Sequence, residues 1–181
     1  MKNSPTLKIP KALSFMITRI WLFTLLVLAM FSSAFAQDPT LVWQANYGSN
    51  TNDYAQNIIQ TSDGGYLVVG QVSGNTGDVS GSGYLGGTDG WVTKLNASGG
   101  MVWKKAFGTS NSEDGVEQAI EVSDGYVLVG SVYSSASVSQ RMWFAKISKT
   151  TGNITWSNTY NTGSSYGYSI IGTPDGGFLI G

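Results

Sequence analysis

The chain of 181 residues contains no cysteine and no histidine. Lacking cysteine, it has no disulfide framework and no thiol nucleophile, so the fold must be held by packing alone. No cysteine follows the N-terminal apolar run to accept a lipid, which excludes a bacterial lipoprotein anchor. Lacking histidine as well, it has no Ser-His-Asp relay and no imidazole-bound zinc. Positive charge is also scarce. Four of the ten basic residues, Lys2, Lys8, Lys11 and Arg19, precede residue 37, and the remainder carries six Lys/Arg against eleven Asp/Glu, a net charge of −5. An acidic chain with no basic stripe argues against a nucleic-acid partner. After residue 36 no stretch sustains a 3.6-residue apolar period, so an all-β chain is expected.

The N-terminal bases precede a run of 12 apolar-rich residues, Ile20–Phe31. That is short of the roughly 20 residues that span a bilayer but long enough for a signal-peptide core. Ala34-Phe35-Ala36 then offers small residues at both cleavage-determining positions. The expectation is a signal peptide over residues 1–36, cleavage before Gln37, and a protein secreted or held at the cell surface with no membrane span after cleavage.

What the remaining 145 residues contain is a repeated phrase. Leu41-Val42-Trp43-Gln44-Ala45-Asn46-Tyr47-Gly48 returns as Met101-Val102-Trp103-Lys104-Lys105-Ala106-Phe107-Gly108 and as Ile154-Thr155-Trp156-Ser157-Asn158-Thr159-Tyr160. The tryptophans are 60 and 53 residues apart, the spacing of β-propeller blades rather than of solenoid coils of about 20–30 residues. Each repeat holds four strand-like stretches, which predicts four-stranded antiparallel blades over repeats 41–100, 101–153 and 154–181. Alternation puts Leu41, Trp43 and Tyr47 on one buried face of the first stretch. Ser62-Asp63-Gly64-Gly65, Ser123-Asp124-Gly125 and Pro174-Asp175-Gly176-Gly177 read as tight hairpin turns. The apolar runs after them, Tyr66–Gly70 and Tyr126–Gly130, read as strands covered on both faces. A ring needs typically 4–8 blades. The expected fold is therefore an incomplete β-propeller-like repeat of about two and a half units, the N-terminal portion of a longer reading frame.

Three phrases, Ile58-Ile59-Gln60-Thr61-Ser62-Asp63-Gly64-Gly65-Tyr66-Leu67-Val68-Val69-Gly70, Asp89-Gly90-Trp91-Val92-Thr93-Lys94-Leu95 and the tryptophan phrase at 101–108, resemble repeats of secreted bacterial β-propeller proteins. Those proteins often carry a type IX secretion C-terminal sorting domain. The resemblance covers residues 40–181 and implies an exported module of unassigned activity. The second repeat departs from the pattern, with Ser134–Arg141 in place of a Gly/Asp-rich loop.

Candidate sites are few. Asp53 and Asp114 each stand ten residues before a hairpin aspartate, in oxygen-rich loops suited to calcium, although the third repeat has Ser165 there. A turn former bonding its own backbone is the plainer reading of both. The glycine-rich loop 74–89 carries Asp78 and Asp89, which suit either a binding loop or a plain connection. Trp43, Trp91, Trp103, Trp143 and Trp156 keep a fixed strand phase, as core residues do. No catalytic residue is singled out, and no cofactor beyond that calcium. The expected function is a non-enzymatic module for binding, adhesion or surface structure, with a protein or glycan ligand. The alternative is a carboxylate-based polysaccharide hydrolase or lyase with its site in blades beyond this stretch.

Overall fold

The computed structural model describes residues 40–110, 112–134, 139–160 and 163–181. The expected signal peptide, residues 1–36, lies outside them, as do residues 135–138 of the serine-rich loop. Strands β1 (Asp53–Gln60), β2 (Tyr66–Val72), β3 (Gly87–Leu95) and β4 (Met101–Phe107) form an antiparallel meander in that order. A second meander repeats it with β6 (Gly115–Val122), β7 (Gly125–Ser134), β8 (Ser139–Ile147) and β9 (Ile154–Thr159). Between them β5 (Ser112–Glu113) pairs in parallel with the start of β3. A third ladder joins β10 (Ile170–Gly172) to β11 (Phe178–Ile180). The helical content of the described residues is one 3-10 turn, Gly77–Val79. The chain is all-β, and its full sheets are built on four antiparallel strands.

The hairpin turns form where glycine permits them. Gly64 sits at φ +81°, Gly64 N–H donates to Thr61 O, and Thr61 N–H to Gly65 O. Gly176 repeats the conformation at +85°. A left-handed residue is required there, and glycine adopts it without steric penalty.

The sheets do not coincide with the sequence repeats. The tryptophan phrase closes a sheet instead of opening one, so the sheets span residues 53–107 and 115–159 where the repeats run 41–100 and 101–153. The first phrase, expected as a strand, belongs to no ladder. The physical reason is pairing. β4 and β9 hydrogen-bond to the strand just before them, β3 and β8, and residues 41–47 have no such neighbour among the described residues.

The sheets stack face to face. Leu67, Val69 and Val92 of the first meet Tyr126, Leu128, Trp143, Ala145 and Ile147 of the second in one core. The other face of the second sheet, through Val127 and Val129, packs on Ile170 with Phe178 and Ile180 beside it. β7 is therefore buried on both faces from Gly125 to Ser131, whereas β2 alternates between buried and half-buried. Indoles tie each phrase to the next sheet. Trp43 meets Tyr66 at 5.6 Å, Trp103 meets Tyr126 at 6.4 Å, and Trp156 meets Phe178 at 6.5 Å between ring centroids. Each pair joins a phrase tryptophan to the aromatic that opens the next sheet's second strand.

Both sheets carry the same irregularity. The β1–β2 register shifts between Ala55 and Asn57, and the β6–β7 register between Val116 and Gln118. Opposite each bulge stands a glycine, Gly70 or Gly130. A Cβ on Gly70 would fall on the carbonyl oxygen of Tyr54, and one on Gly130 on that of Gly115. The glycine admits close backbone approach, and the bulge turns an extra side chain out of the ladder.

A buried lysine braces the first hairpin. Lys94, 3% exposed, pairs with Asp63 at 2.9 Å and donates to Leu95 O at 2.9 Å. Lys146–Asp124 repeats the pair at 2.5 Å. The Thr61 hydroxyl, the Lys94 ammonium and the Gly65 N–H together hold the Asp63 carboxyl well below the usual carboxylate range. A depressed carboxylate pKa stabilises the fold above its unfolded value, about 3.9, and loses that contribution as pH falls toward the folded value. Asp63→Asn is thus expected to be less stable than the wild type at neutral pH, with the gap closing below about pH 3. Asp63 is 63% exposed, so the gap should stay within about 1 kcal/mol. Urea unfolding at several pH values reads it; a gap that widens in acid would refute the pairing.

Candidate functional site

One cleft gathers polar groups from both sheets and from the approach to the third ladder. Its volume is about 400 Å³, within the range of ligand pockets. Gln71 at the end of β2 and Thr88 in β3 line it from the first sheet. Glu113 of β5 and the adjoining Asp114 line it from the link between the sheets, Glu117, Ser131 and Gln140 from the second sheet, and Tyr166 and Tyr168 from the segment before β10.

Local structure explains each position. β5 aligns on β3, and Asp114 N–H donates to Thr88 O at 2.7 Å, so the acidic turn 113–114 is fixed against the first sheet. Glu117 occupies the β6 bulge, where the broken register re-aims its side chain, and Gln71 Nε2 donates to its Oε1 at 3.3 Å. Gly115 leaves room for that glutamine, because a Cβ there would sit 2.5 Å from Gln71 Nε2. Gln140 Nε2 donates to the Glu113 carbonyl.

The tyrosine segment is anchored through its backbone. Gly167 N–H donates to Gly130 O at 3.2 Å, Ser165 N–H to Gln140 O at 3.1 Å, and Ile170 N–H to Gln118 Oε1 at 2.7 Å. Tyr166 and Tyr168 stack with centroids 6.0 Å apart and planes 19° apart, and both rings are about half or more exposed. An exposed ring pair beside carboxylates and amides offers an apolar platform with hydrogen-bond partners for hydroxyl groups.

No protein-family model matches the chain, and no curated protein matches it. What it does must be read from its own geometry.

The candidate residues fall in different places. Asp53 is half-buried and accepts from Ser49 N–H at 2.5 Å and from the Ser49 hydroxyl at 2.9 and 3.0 Å. Asp114 is buried and repeats the arrangement, accepting from Thr109 N–H and Tyr133 N–H at 2.5 Å and from the Thr109 hydroxyl at 3.1 Å. Both aspartates thus bond loop backbone. In the third repeat Ser165 Oγ accepts from Met142 N–H at 3.0 Å.

The two loop aspartates are not brought into one site. Asp78 Oδ2 accepts from Gly48 N–H at 3.2 Å, while Asp89 is fully buried in β3 and its Oδ2 accepts from Leu85 N–H at 2.5 Å. Burial first, and the neighbouring Asp114 charge among the further causes, push the Asp89 carboxyl up; burial likewise pushes Asp114 up. Among the tryptophans, Trp91 and Trp143 are buried, and Trp43, Trp103 and Trp156 are half-buried. None of them lines the cleft.

Sequence reading passed over Gln71, Glu117, Gln140, Tyr166 and Tyr168. A faint signal was present. Glu117 and Tyr168 occupy the same position of the repeat, where the first repeat has Gln56, and only the bulge reveals where that position points.

Proposed function

We propose that this chain is part of an exported, non-enzymatic binding module whose sheets stack as propeller blades do, and that its polar cleft takes a polyhydroxylated ligand, a glycan chain. The observation that carries the reading is the exposed Tyr166–Tyr168 stack beside Glu113, Glu117, Gln71 and Gln140. Sugars present apolar C–H faces to rings and hydroxyls to carboxylates and amides, and this cleft has both. The blade-like part rests on the regular offset by which each phrase tryptophan packs on the sheet that follows. In a closed ring, residues 41–47 would pair with the third strand of the last blade. Export rests on the N-terminal apolar run and its small-residue cleavage pattern.

A glycan array with the purified protein tests the function. Tyr168→Ala and Glu117→Gln should each weaken the best array hit at least tenfold, about 1.4 kcal/mol, without lowering the melting temperature appreciably. Unchanged binding in both variants would sink the cleft reading. Release of reducing sugar from a bound polysaccharide would sink the non-enzymatic one.

A further inference from the structure

We infer that Asp89 and Asp114 hold a calcium ion between the two sheets, a site separate from the calcium expected at Asp53 and Asp114 in their own loops. Asp89 Oδ1 is buried and has no hydrogen-bond partner. It points at Gly108: a Cβ there would overlap Asp89 Oδ1 and come within 2.8 Å of Asp114 Oδ2. The two carboxylates thus converge on one glycine, so closely that no side chain at 108 could be accommodated beside them. Asp89 lies in the first sheet, and Asp114 stands between β5 and β6, with its Oδ1 accepting from Tyr133 N–H of the second sheet.

Among the described residues, no lysine ion pair involves either acid; Lys94–Asp63, Lys146–Asp124 and Lys149–Glu121 engage others. Two adjacent buried carboxylates are tolerated only with a proton or a cation between them. The pair is itself buried, but open space lies close to it on two sides. Leu85, Gly108 and Thr109 line an outer groove of about 640 Å³, and Thr88 and Asp114 line the polar cleft. A hydrated ion can therefore enter and keep waters in its shell. The ligand chemistry selects calcium: the donors are oxygens only, in an irregular arrangement that calcium accepts and magnesium does not.

The binding of the ion differs between the sheets' two acidic loops. In the first loop Asp53 and Asp78 are only half-buried, so water can solvate their charges and no cation is demanded. Bound at Asp89 and Asp114, by contrast, calcium bridges the first sheet to the second, so it should report itself in stability as well as in binding.

The experiment is calcium titration of EDTA-stripped protein by calorimetry, with thermal melting in parallel. Expected are one calcium per chain and a melting temperature raised by roughly 3–10 °C in about 10 mM CaCl2. Asp89→Asn should abolish both effects, while Asp53→Asn and Asp78→Asn keep them. The inference is overturned if the wild type shows no binding heat and melts alike in CaCl2 and EDTA, the behaviour of a pair that shares a proton. If Asp89→Asn does not fold, terbium luminescence of the wild type decides: emission displaced by calcium supports the site, and its absence overturns it.

Discussion

Trp143→Ala should lower the unfolding free energy by about 3–5 kcal/mol, the largest loss expected of any single truncation in this chain. Trp143 is 6% exposed and sits on β8 within the core shared by the first two sheets. Its ring lies 5.7 Å from Phe107, which belongs to β4 of the other sheet. Truncation would open a cavity at the seam where the sheets meet, and neither sheet can collapse into it without breaking its ladder. Trp43→Ala is the control, because Trp43 is half-buried and outside any ladder; under about 2 kcal/mol is expected. Urea unfolding followed by circular dichroism measures both. A loss below about 1 kcal/mol for Trp143→Ala would mean that the seam is not where the hydrophobic stabilisation lies.

Gly130→Ala should cost about 3 kcal/mol or more, although it adds a single methyl group. Gly130 is not in the left-handed region, so backbone preference is not the obstacle. The added carbon would land on the Gly115 carbonyl oxygen, and main chain cannot move aside as a side chain can. Relief would require opening the β6–β7 ladder at its bulge, the element that directs Glu117 into the cleft. Ligand binding should weaken together with stability. Gly64→Ala separates the two kinds of glycine. There the φ of +81° is the whole penalty and nothing lies within 4 Å, so about 1–2 kcal/mol is expected. Equal costs for the two variants would refute the close-approach reading of Gly130.

The same pair of glycines shows how far the chain could be read unaided. Gly64 was legible, since Asp-Gly-Gly between apolar runs is turn chemistry that acts within a few residues. Gly130 was visible only as the end of an apolar run. Its reason for being glycine is a carbonyl on a strand whose register had slipped by one residue, and no local pattern carries that. The cleft fails to show for the same cause: Gln71, Glu117, Gln140 and Tyr168 come from four separate segments, aimed by a bulge and a backbone anchor. Asp89 and Asp114 were each noticed, yet in different loops and for different roles. Their convergence on Gly108 depends on β5 pairing with β3.

Strand content, hairpin turns and the repeat itself follow from the sequence, because alternation, glycine conformation and self-similarity are properties of neighbours along the chain. Sheet boundaries were decided by tertiary structure, since a phrase becomes a strand only where a partner's hydrogen bonds wait for it. β4 and β9 have such partners and residues 41–47 do not, though all three carry the same words. Which side chains share a cleft, and which acids share a charge, were decided there too: burial and proximity arise only when sheets stack.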